Sequence, residues 1–285
     1  MFPKLDLKWD KPNILNTISI EATYQTDFTY YIMLASKFGC KHLQIILLDI
    51  FDKTHIETLL IQFSTSHINT VEIIIEYNPN IDYTHLIFED LHQLQPRLEN
   101  IILYKAPENK VLYRYNANSK IVLISEPLQY KQTINAEYFT INITYFLESQ
   151  KYNAFFNRRL FIDVNNLLYN SQNNTNSFGL LDINTIETVI KSSDFQNLWI
   201  SKKDDTDVCR NCEFRYMCYD NRVPSQRKDL SWFHETECNY NPYIAKWAGE
   251  EGYKTLSECG ILSNTQGFVI DEKRIAQINE ELWSD

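Results

Sequence analysis

Three cysteines lie close together in the segment C-R-N-C-E-F-R-Y-M-C, which runs from residue 209 to residue 218. A C-x2-C turn places two thiolates on one side of a tight loop, where both can bind one metal centre. A third thiolate follows after five residues and a fourth after nineteen more. Four thiolates suit either Zn²⁺ or a [4Fe–4S] cluster, and spacing alone does not choose between them. The predicted ligands are Cys209, Cys212, Cys218 and Cys238.

Other roles for cysteine and histidine stay open beside this prediction. His234 lies four residues before Cys238, so a zinc site of three cysteines and one histidine is an alternative. Free cysteines and disulfides are further alternatives, although a reducing compartment disfavours disulfides. Cys40 and Cys259 stand apart from the cluster and are expected to be small core residues.

Composition and charge narrow the class of protein. The chain has 285 residues, 44% of them hydrophobic, which is enough for a full core and argues against disorder. A net charge of −10 gives no support for a nucleic-acid partner, because phosphate binding needs basic residues. With 6 glycines there is no glycine-rich phosphate loop. The N-terminus resembles no signal peptide and no apolar run could span a membrane, so we expect a cytoplasmic protein without membrane partners.

The first half of the chain alternates between strand and helix patterns. Buried β-branched and aliphatic runs predict strands at 43–50, 70–77, 99–104 and 120–125. Amphipathic stretches between them predict helices at about 26–38, 53–66 and 83–94. The spacing of the first three strands fits one βα unit each. The pattern indicates an α/β domain with a mostly parallel sheet, open or curved like part of a barrel.

The second half has a different pattern. It predicts a strand at 137–147, a hairpin at 158–171 that turns at Val164, Asn165 and Asn166, and helices at about 243–258 and 271–283. We place a soft boundary near 150, which gives predicted domains 1–150 and 151–285. The second domain is expected to be a small α+β module with little regular core of its own.

The cysteine segment resembles a known family. C-R-N-C-E-F-R-Y-M-C-Y-D-N-R-V-P, followed by Cys238, is similar to the SPASM domain, the auxiliary-cluster module of many radical SAM peptide-modifying enzymes. Upstream, L-F-I-D-V-N-N-L-L-Y-N-S and F-G-L-L-D-I look like the hairpin and the segment that precede that module. More narrowly, C-x-x-C-E-F-R-Y-x-C-x-D-N-R-V-P is similar to the motif of the maturase that is paired with an ATP-grasp ligase in grasp-with-spasm systems. The resemblance covers about 158–262 and implies a degenerate partial (β/α) barrel before a cysteine-rich SPASM-like module.

Departures from the family pattern limit the expected chemistry. A full SPASM domain holds two clusters, and two ligand positions of one of them are occupied here by Ser171 and Arg222. The resemblance therefore implies a single remaining cluster on the four cysteines named above. Radical chemistry in this family needs C-x3-C-x2-C near the start of the barrel, whereas the first 200 residues contain only Cys40. We do not expect cleavage of S-adenosylmethionine.

Basic residues around the ligands suggest a partner. Arg215 and Arg222 could bind an acidic peptide through bidentate contacts with carboxylates, or could compensate the charge of a thiolate centre. The resemblance implies an accessory maturation protein that binds a ribosomally made precursor peptide, an ATP-grasp ligase, or both. One alternative is a peptide-modifying enzyme that uses its single cluster for redox chemistry. Another is a metal-stabilised interaction protein unrelated to peptide maturation.

Overall fold

The computed structural model describes residues 14–49, 53–64, 66–81, 83, 91, 93, 96–114, 120–128 and 139–283. These residues form two compact units. The sheet unit contains the described parts of Lys11–Tyr130 together with Arg158–Phe195. The cysteine unit contains residues 139–157 and 196–283. The predicted domains 1–150 and 151–285 stay a prediction, since compactness does not test which segments fold independently.

A mostly parallel sheet forms the centre of the sheet unit. Its strands are β1 Thr17–Ala22, β2 His42–Leu47, β3 Thr70–Glu76, β4 Leu98–Tyr104, β5 Lys110–Arg114, β6 Lys120–Ile124, β7 Arg159–Ile162 and β8 Leu168–Tyr169. Their order across the sheet is β5-β6-β4-β3-β2-β1-β7-β8. Neighbouring strands are parallel except for β5 with β6 and β7 with β8, which are antiparallel. The predicted α/β class with a mostly parallel sheet is confirmed.

The strand predictions succeed where apolar runs are continuous. Strands β2, β3, β4 and β6 lie within a few residues of their predicted positions. The predicted hairpin at 158–171 is also confirmed, because β7 pairs antiparallel with β8. Its turn uses Asn166 in the left-handed conformation, at φ 62°, and the Asp163 carboxylate accepts from the backbone N–H groups of Asn165 and Leu167. Strands β1 and β5 were not predicted.

Helices are short and lie in both units. They are α1 Phe28–Lys37, α2 Lys53–Gln62, α3 Ile143–Ser149, α4 Ile186–Lys191, α5 Ser193–Ile200 and α6 Glu272–Trp283. The Asp27 carboxylate caps α1 by accepting from the Thr29 N–H at 2.9 Å. The helix predicted at 271–283 is confirmed as α6. Most of the helix predicted at 83–94 lies outside the described residues. Within those residues, no helix has the length and apolarity that a bilayer crossing requires.

Little regular structure supports the cysteine unit. Its strands pair as three small antiparallel ladders, β9 with β10, β11 with β12 and β13 with β14. Their bounds are β9 Ser225–Gln226, β10 Trp232–Phe233, β11 Tyr240–Asn241, β12 Lys246–Trp247, β13 Ile261–Asn264 and β14 Gly267–Ile270. A small apolar core in this unit consists of Ile244, Leu256, Cys259, Ile261 and Ile278. The predicted core role of Cys259 is thus confirmed, and Cys40 is likewise 2% exposed in the sheet unit.

Two element predictions were wrong. The strand predicted at 137–147 is replaced by α3, because the Asn142 side chain caps this helix by accepting from the Tyr145 N–H at 2.8 Å. The helix predicted at 243–258 is replaced by the β11–β12 hairpin and turns. Ala245, Gly249 and Gly252 take positive φ values of 52°, 94° and 77°, which a helix interior does not allow.

Candidate metal centre

The four predicted ligands are carried on turns of the cysteine unit. Cys209 begins the 3-10 turn Cys209–Asn211, and the Cys212 N–H donates to the Cys209 carbonyl at 3.0 Å. Cys218 ends the next loop, and Cys238 stands just before β11, where its sulfur accepts from the Tyr240 N–H at 3.4 Å. All four are half-buried and none forms a disulfide. Turns leave these side chains free to point at one centre.

The thiols act on one another electrostatically. Burial raises the pKa of Cys212 and Cys238, and raises that of Cys218 to about 12. The charge of Cys209 adds to this rise at each of the three, which places the four sulfurs in one neighbourhood. Without metal, Cys212, Cys218 and Cys238 therefore stay protonated at neutral pH. Metal binding here must release protons, and its free energy must exceed the cost of forming buried thiolates.

A buried carboxylate with two cations lies beside the cysteines. Lys203 Nζ contacts Asp220 Oδ2, and Arg222 donates from Nε to Oδ1 at 2.9 Å and from Nη2 to Oδ2 at 2.8 Å. The side chains of Lys203, Arg222 and Asp220 are 7%, 10% and 0% exposed. Burying an ion pair is costly unless the geometry is good, and here two cations share one anion. The three groups leave a net charge of +1 in the interior.

This positive charge faces the cysteines. Burial acts to lower the pKa of Lys203, but the buried carboxylate and then Cys209 and Cys218 outweigh it, so the pKa is raised. The pKa of Arg222 is raised against its own burial penalty by the same carboxylate, with Cys209 and Cys238 contributing. An anionic centre on the four sulfurs would therefore lie next to two fixed cations.

A second group of potential ligands surrounds Cys209. Its sulfur, a carboxylate oxygen of Asp220 and a ring nitrogen of His234 lie within 4.8 Å of one another. This group is a poor ion site, because both carboxylate oxygens already accept from Lys203 and Arg222. Burial also holds the pKa of His234 well below its usual range, so its ring is neutral. In the described part of the chain, no three cysteine sulfurs come as close together as this group.

The residue before Cys209 has an unusual backbone conformation. Val208 has φ 63° and ψ −54°, and the Cys209 N–H donates to the Asp207 carbonyl at 2.6 Å, which together define a γ-turn of the rare, strained kind. A β-branched residue seldom adopts positive φ. Val208 packs against the small core of the cysteine unit. Strain of this sort persists only where packing imposes it, and here it fixes the direction of Cys209.

The side chain of Arg227 holds the γ-turn at Val208 in place. Its Nη2 lies 2.6 Å from Asp207 Oδ2, its Nε donates to the Asn264 carbonyl at 2.6 Å, and its guanidinium stacks on Phe233 at 4.5 Å. The Arg227 side chain is 5% exposed. These contacts tie the segment before Cys209 to β10 and to the end of β13. The buried arginine therefore has a structural role.

The predicted peptide-binding arginines occupy different environments. Arg215 is 22% exposed; it donates to Asp204 at 3.0 Å and to the Cys212 carbonyl at 2.9 Å, and it stacks on Tyr216 at 4.4 Å. Arg222 is buried, and besides Asp220 it donates to the Thr236 carbonyl at 2.6 Å. This placement favours the alternative role of counter-charge for Arg222. Ser171 lies after β8 in the sheet unit, with its hydroxyl accepting from the Asn173 N–H at 3.1 Å.

Sequence reasoning missed Lys203 as part of the site. It lies in the run K-K-D-D, which has the composition of an exposed charged loop, yet its side chain is 7% exposed. Its burial follows from the ion pair with Asp220, which lies 17 residues further along the chain and is brought near only by the fold.

Comparison of this chain with protein-family models, curated proteins and solved structures gives no match.

Proposed function

We propose that this protein is an accessory maturation factor for a ribosomally synthesised peptide, built around one [4Fe–4S] centre on Cys209, Cys212, Cys218 and Cys238. The observation that carries the proposal is the gathering of four thiols around a buried pair of cations. Lys203 and Arg222 supply positive charge where a thiolate-bound centre would be negative. The residues present therefore fit an anionic cluster in charge as well as in donor type.

Iron–sulfur and zinc centres require different spacings of the four sulfurs. Zinc–sulfur bonds of about 2.3 Å require the four sulfurs of a tetrahedral site to lie within about 4 Å of one another. In a four-iron cube each thiolate binds a different iron, so the sulfurs are held further apart. Among the described residues, no three cysteine sulfurs lie within 4.8 Å of one another. Zinc remains the alternative, and it would require the loops to contract.

The centre is proposed to be structural. Its unit contains strands of two to four residues and two small apolar clusters, one around Ile261 and one around Phe156, which provide limited stability by themselves. Closing four thiolates on one centre supplies folding free energy to such a module. When bound, the cluster would hold the turns at their ends, while Val208 and Arg227 direct the segment that carries Cys209. The absence of C-x3-C-x2-C from the sequence argues against radical chemistry.

The proposed partners are a precursor peptide and an ATP-grasp ligase in the cytoplasm, where such peptides are made. Arg215 is the better of the two predicted contacts, because its side chain is partly exposed beside the cysteine loop. A guanidinium stacked on an aromatic ring can still bind a carboxylate. The cysteine unit, which carries Arg215, would then present the peptide to the ligase.

Binding of a co-encoded acidic peptide tests this role. We expect Arg215→Ala to weaken binding by about 10-fold, the loss of roughly one charge-assisted contact. Arg274→Ala on the exposed surface of α6 is the matched control and should leave the affinity unchanged. The measurement is fluorescence anisotropy of the labelled peptide with the full chain. Equal affinities for all three proteins would reject Arg215 as a contact, and no binding to any of them would reject the peptide partner.

A further inference from the structure

A cavity lies at the amino-terminal ends of the parallel strands. Its volume is about 510 Å³, within the range of about 300–1,000 Å³ that is usual for small-molecule sites. The residues that line it are Lys41, Ser66, His67, Ile68, Asn69 and Arg97. All of them belong to the sheet unit, so the cavity includes no residue of the cysteine unit.

Strand pairing places two cations of this lining on either side of an asparagine. Lys41, Asn69 and Arg97 immediately precede β2, β3 and β4, which are parallel neighbours in the sheet. The Lys41 carbonyl accepts from the Asn69 N–H at 2.8 Å, so the ladder continues into these flanking residues. Backbones two strands apart are separated by about 10 Å. The long side chains of Lys41 and Arg97 can therefore reach one group between them.

Arg97 also holds the wall of the cavity that follows α2. Its Nη1 donates to the Phe63 carbonyl at 3.3 Å and to the Ser66 carbonyl. The Ser66 hydroxyl donates to the Phe63 carbonyl at 2.8 Å, and Ile68 anchors the same segment with 2% of its surface exposed. Carbonyl groups at the end of a helix carry partial negative charge, which would repel an anion. Arg97 offsets this charge and is itself held in place by the same contacts.

The lining of the cavity is positive, although the whole chain has a net charge of −10. Lys41 and His67 are exposed and Arg97 is partly exposed, so a ligand can reach all three side chains. None of the lining residues is a carboxylate. The carboxylates further along β3 and β4, Glu72 and Glu99, bond to neighbouring side chains and do not line the cavity. The local excess of positive charge favours an anionic ligand.

Two fixed cations suit a group that carries two negative charges. A phosphate monoester carries a charge of about −1.5 to −2 at neutral pH, whereas a carboxylate carries a single charge. Lysine binds phosphate as a point charge, and arginine binds it through paired N–H donors. The cavity is larger than one phosphate group, and its only apolar lining residue, Ile68, is almost fully buried. The remaining space therefore suits a polar, hydroxylated body better than an aromatic ring.

We propose that this cavity binds a small polar phosphate ester, whose phosphate lies between Lys41 and Arg97. The Asn69 amide and the His67 ring line the remaining space and hydrogen-bond to hydroxyl groups of the ligand's body. The site does not depend on the cysteine centre, so either proposal can fail without the other. Inorganic phosphate offers the same charged group without the body, and its affinity distinguishes free phosphate from an ester as the ligand.

Calorimetric titration of the full chain with glucose 6-phosphate tests this site. We expect saturable binding that is tighter than the binding of inorganic phosphate, because the sugar adds hydrogen bonds. Gluconate, which carries a carboxylate on a similar hydroxylated body, should bind at least ~10-fold more weakly, and uncharged glucose should not bind. Equal affinities for glucose 6-phosphate and gluconate would overturn the choice of phosphate. Inorganic phosphate that bound as tightly as the ester, or more tightly, would overturn the choice of an ester.

Substitutions at exposed positions separate binding from misfolding. Lys41→Ala should weaken binding of glucose 6-phosphate at least ~10-fold, whereas Lys110→Ala, at an exposed ion pair with Glu108, should leave it unchanged. Asn69→Lys places a third cation between the other two and should tighten binding, which a damaged fold cannot do. No saturable binding of either phosphate compound up to about 10 mM would overturn the proposal. Equal affinities of the unmodified chain and the Lys41→Ala variant would overturn it as well.

Discussion

Replacing Asp220 with asparagine is expected to destabilise the metal-free protein by about 3–5 kcal/mol, because it leaves Lys203 and Arg222 buried without their anion. Both oxygens of Asp220 accept from these cations, and its side chain is 0% exposed. Urea unfolding followed by tryptophan fluorescence measures the loss. Four of the five tryptophans lie among the described residues of the cysteine unit, at positions 199, 232, 247 and 283.

A peripheral carboxylate provides the matched control. Asp204 pairs with Arg215 at 3.0 Å but is 20% exposed, so Asp204→Asn should cost no more than about 1 kcal/mol. Loading the centre should also reduce the effect of Asp220→Asn, because an anionic cluster would replace the missing counter-charge. An equal loss with and without the centre would contradict the proposed charge compensation by Lys203 and Arg222.

Removing the centre is expected to lower the free energy of unfolding of the cysteine unit much more than that of the sheet unit. Structural metal sites supply about 10 kcal/mol or more of folding free energy to small modules. The sheet unit has its own core of fully buried strands, whereas the cysteine unit has short ladders and a small core. Hydrogen exchange of the full chain measures this difference. Segments 203–247 should lose protection, and β2, β3 and β4 should keep it.

The variant Cys212→Ser should reproduce this pattern without any chelator. Cys259→Ser serves as the control, because this cysteine belongs to the small core and not to the proposed ligand set. It should lower stability slightly without exposing 203–247 as a whole. Unchanged protection of that segment after loss of the centre would show that packing alone maintains the unit.

Long apolar runs made part of the sheet predictable. Runs such as V-E-I-I-I-E at β3 carry enough β-branched residues to identify a strand without its neighbours. Strand β1, T-I-S-I-E-A, alternates polar and apolar residues, with Thr17, Ser19 and Glu21 on one side of the sheet. A strand with such a face is hard to distinguish from a loop when the register of its neighbours is unknown.

Local capping and strand register account for what could not be predicted. The segment around α3 has the composition of a strand, and the hydrogen bond from the Tyr145 N–H to the Asn142 side chain favours a helix instead. Strand register places polar residues of five strands side by side, and because these strands are distant in sequence, no local pattern reveals the alignment of Ser19, Gln44, Glu72, Asn100 and Lys120. Likewise, the sequence indicates four cysteine ligands but not the Lys203–Asp220 pair beside them.

Metal analysis decides whether the four cysteines bind a [4Fe–4S] cluster. The protein would be purified without oxygen, and iron, sulfide and zinc per chain would be measured together with the ultraviolet–visible spectrum. We expect about four iron and four sulfide per chain, with a broad visible band that Cys212→Ser abolishes. About one zinc per chain and no visible band would contradict the iron–sulfur assignment. A chain with neither metal would contradict the assignment of the four cysteines as ligands.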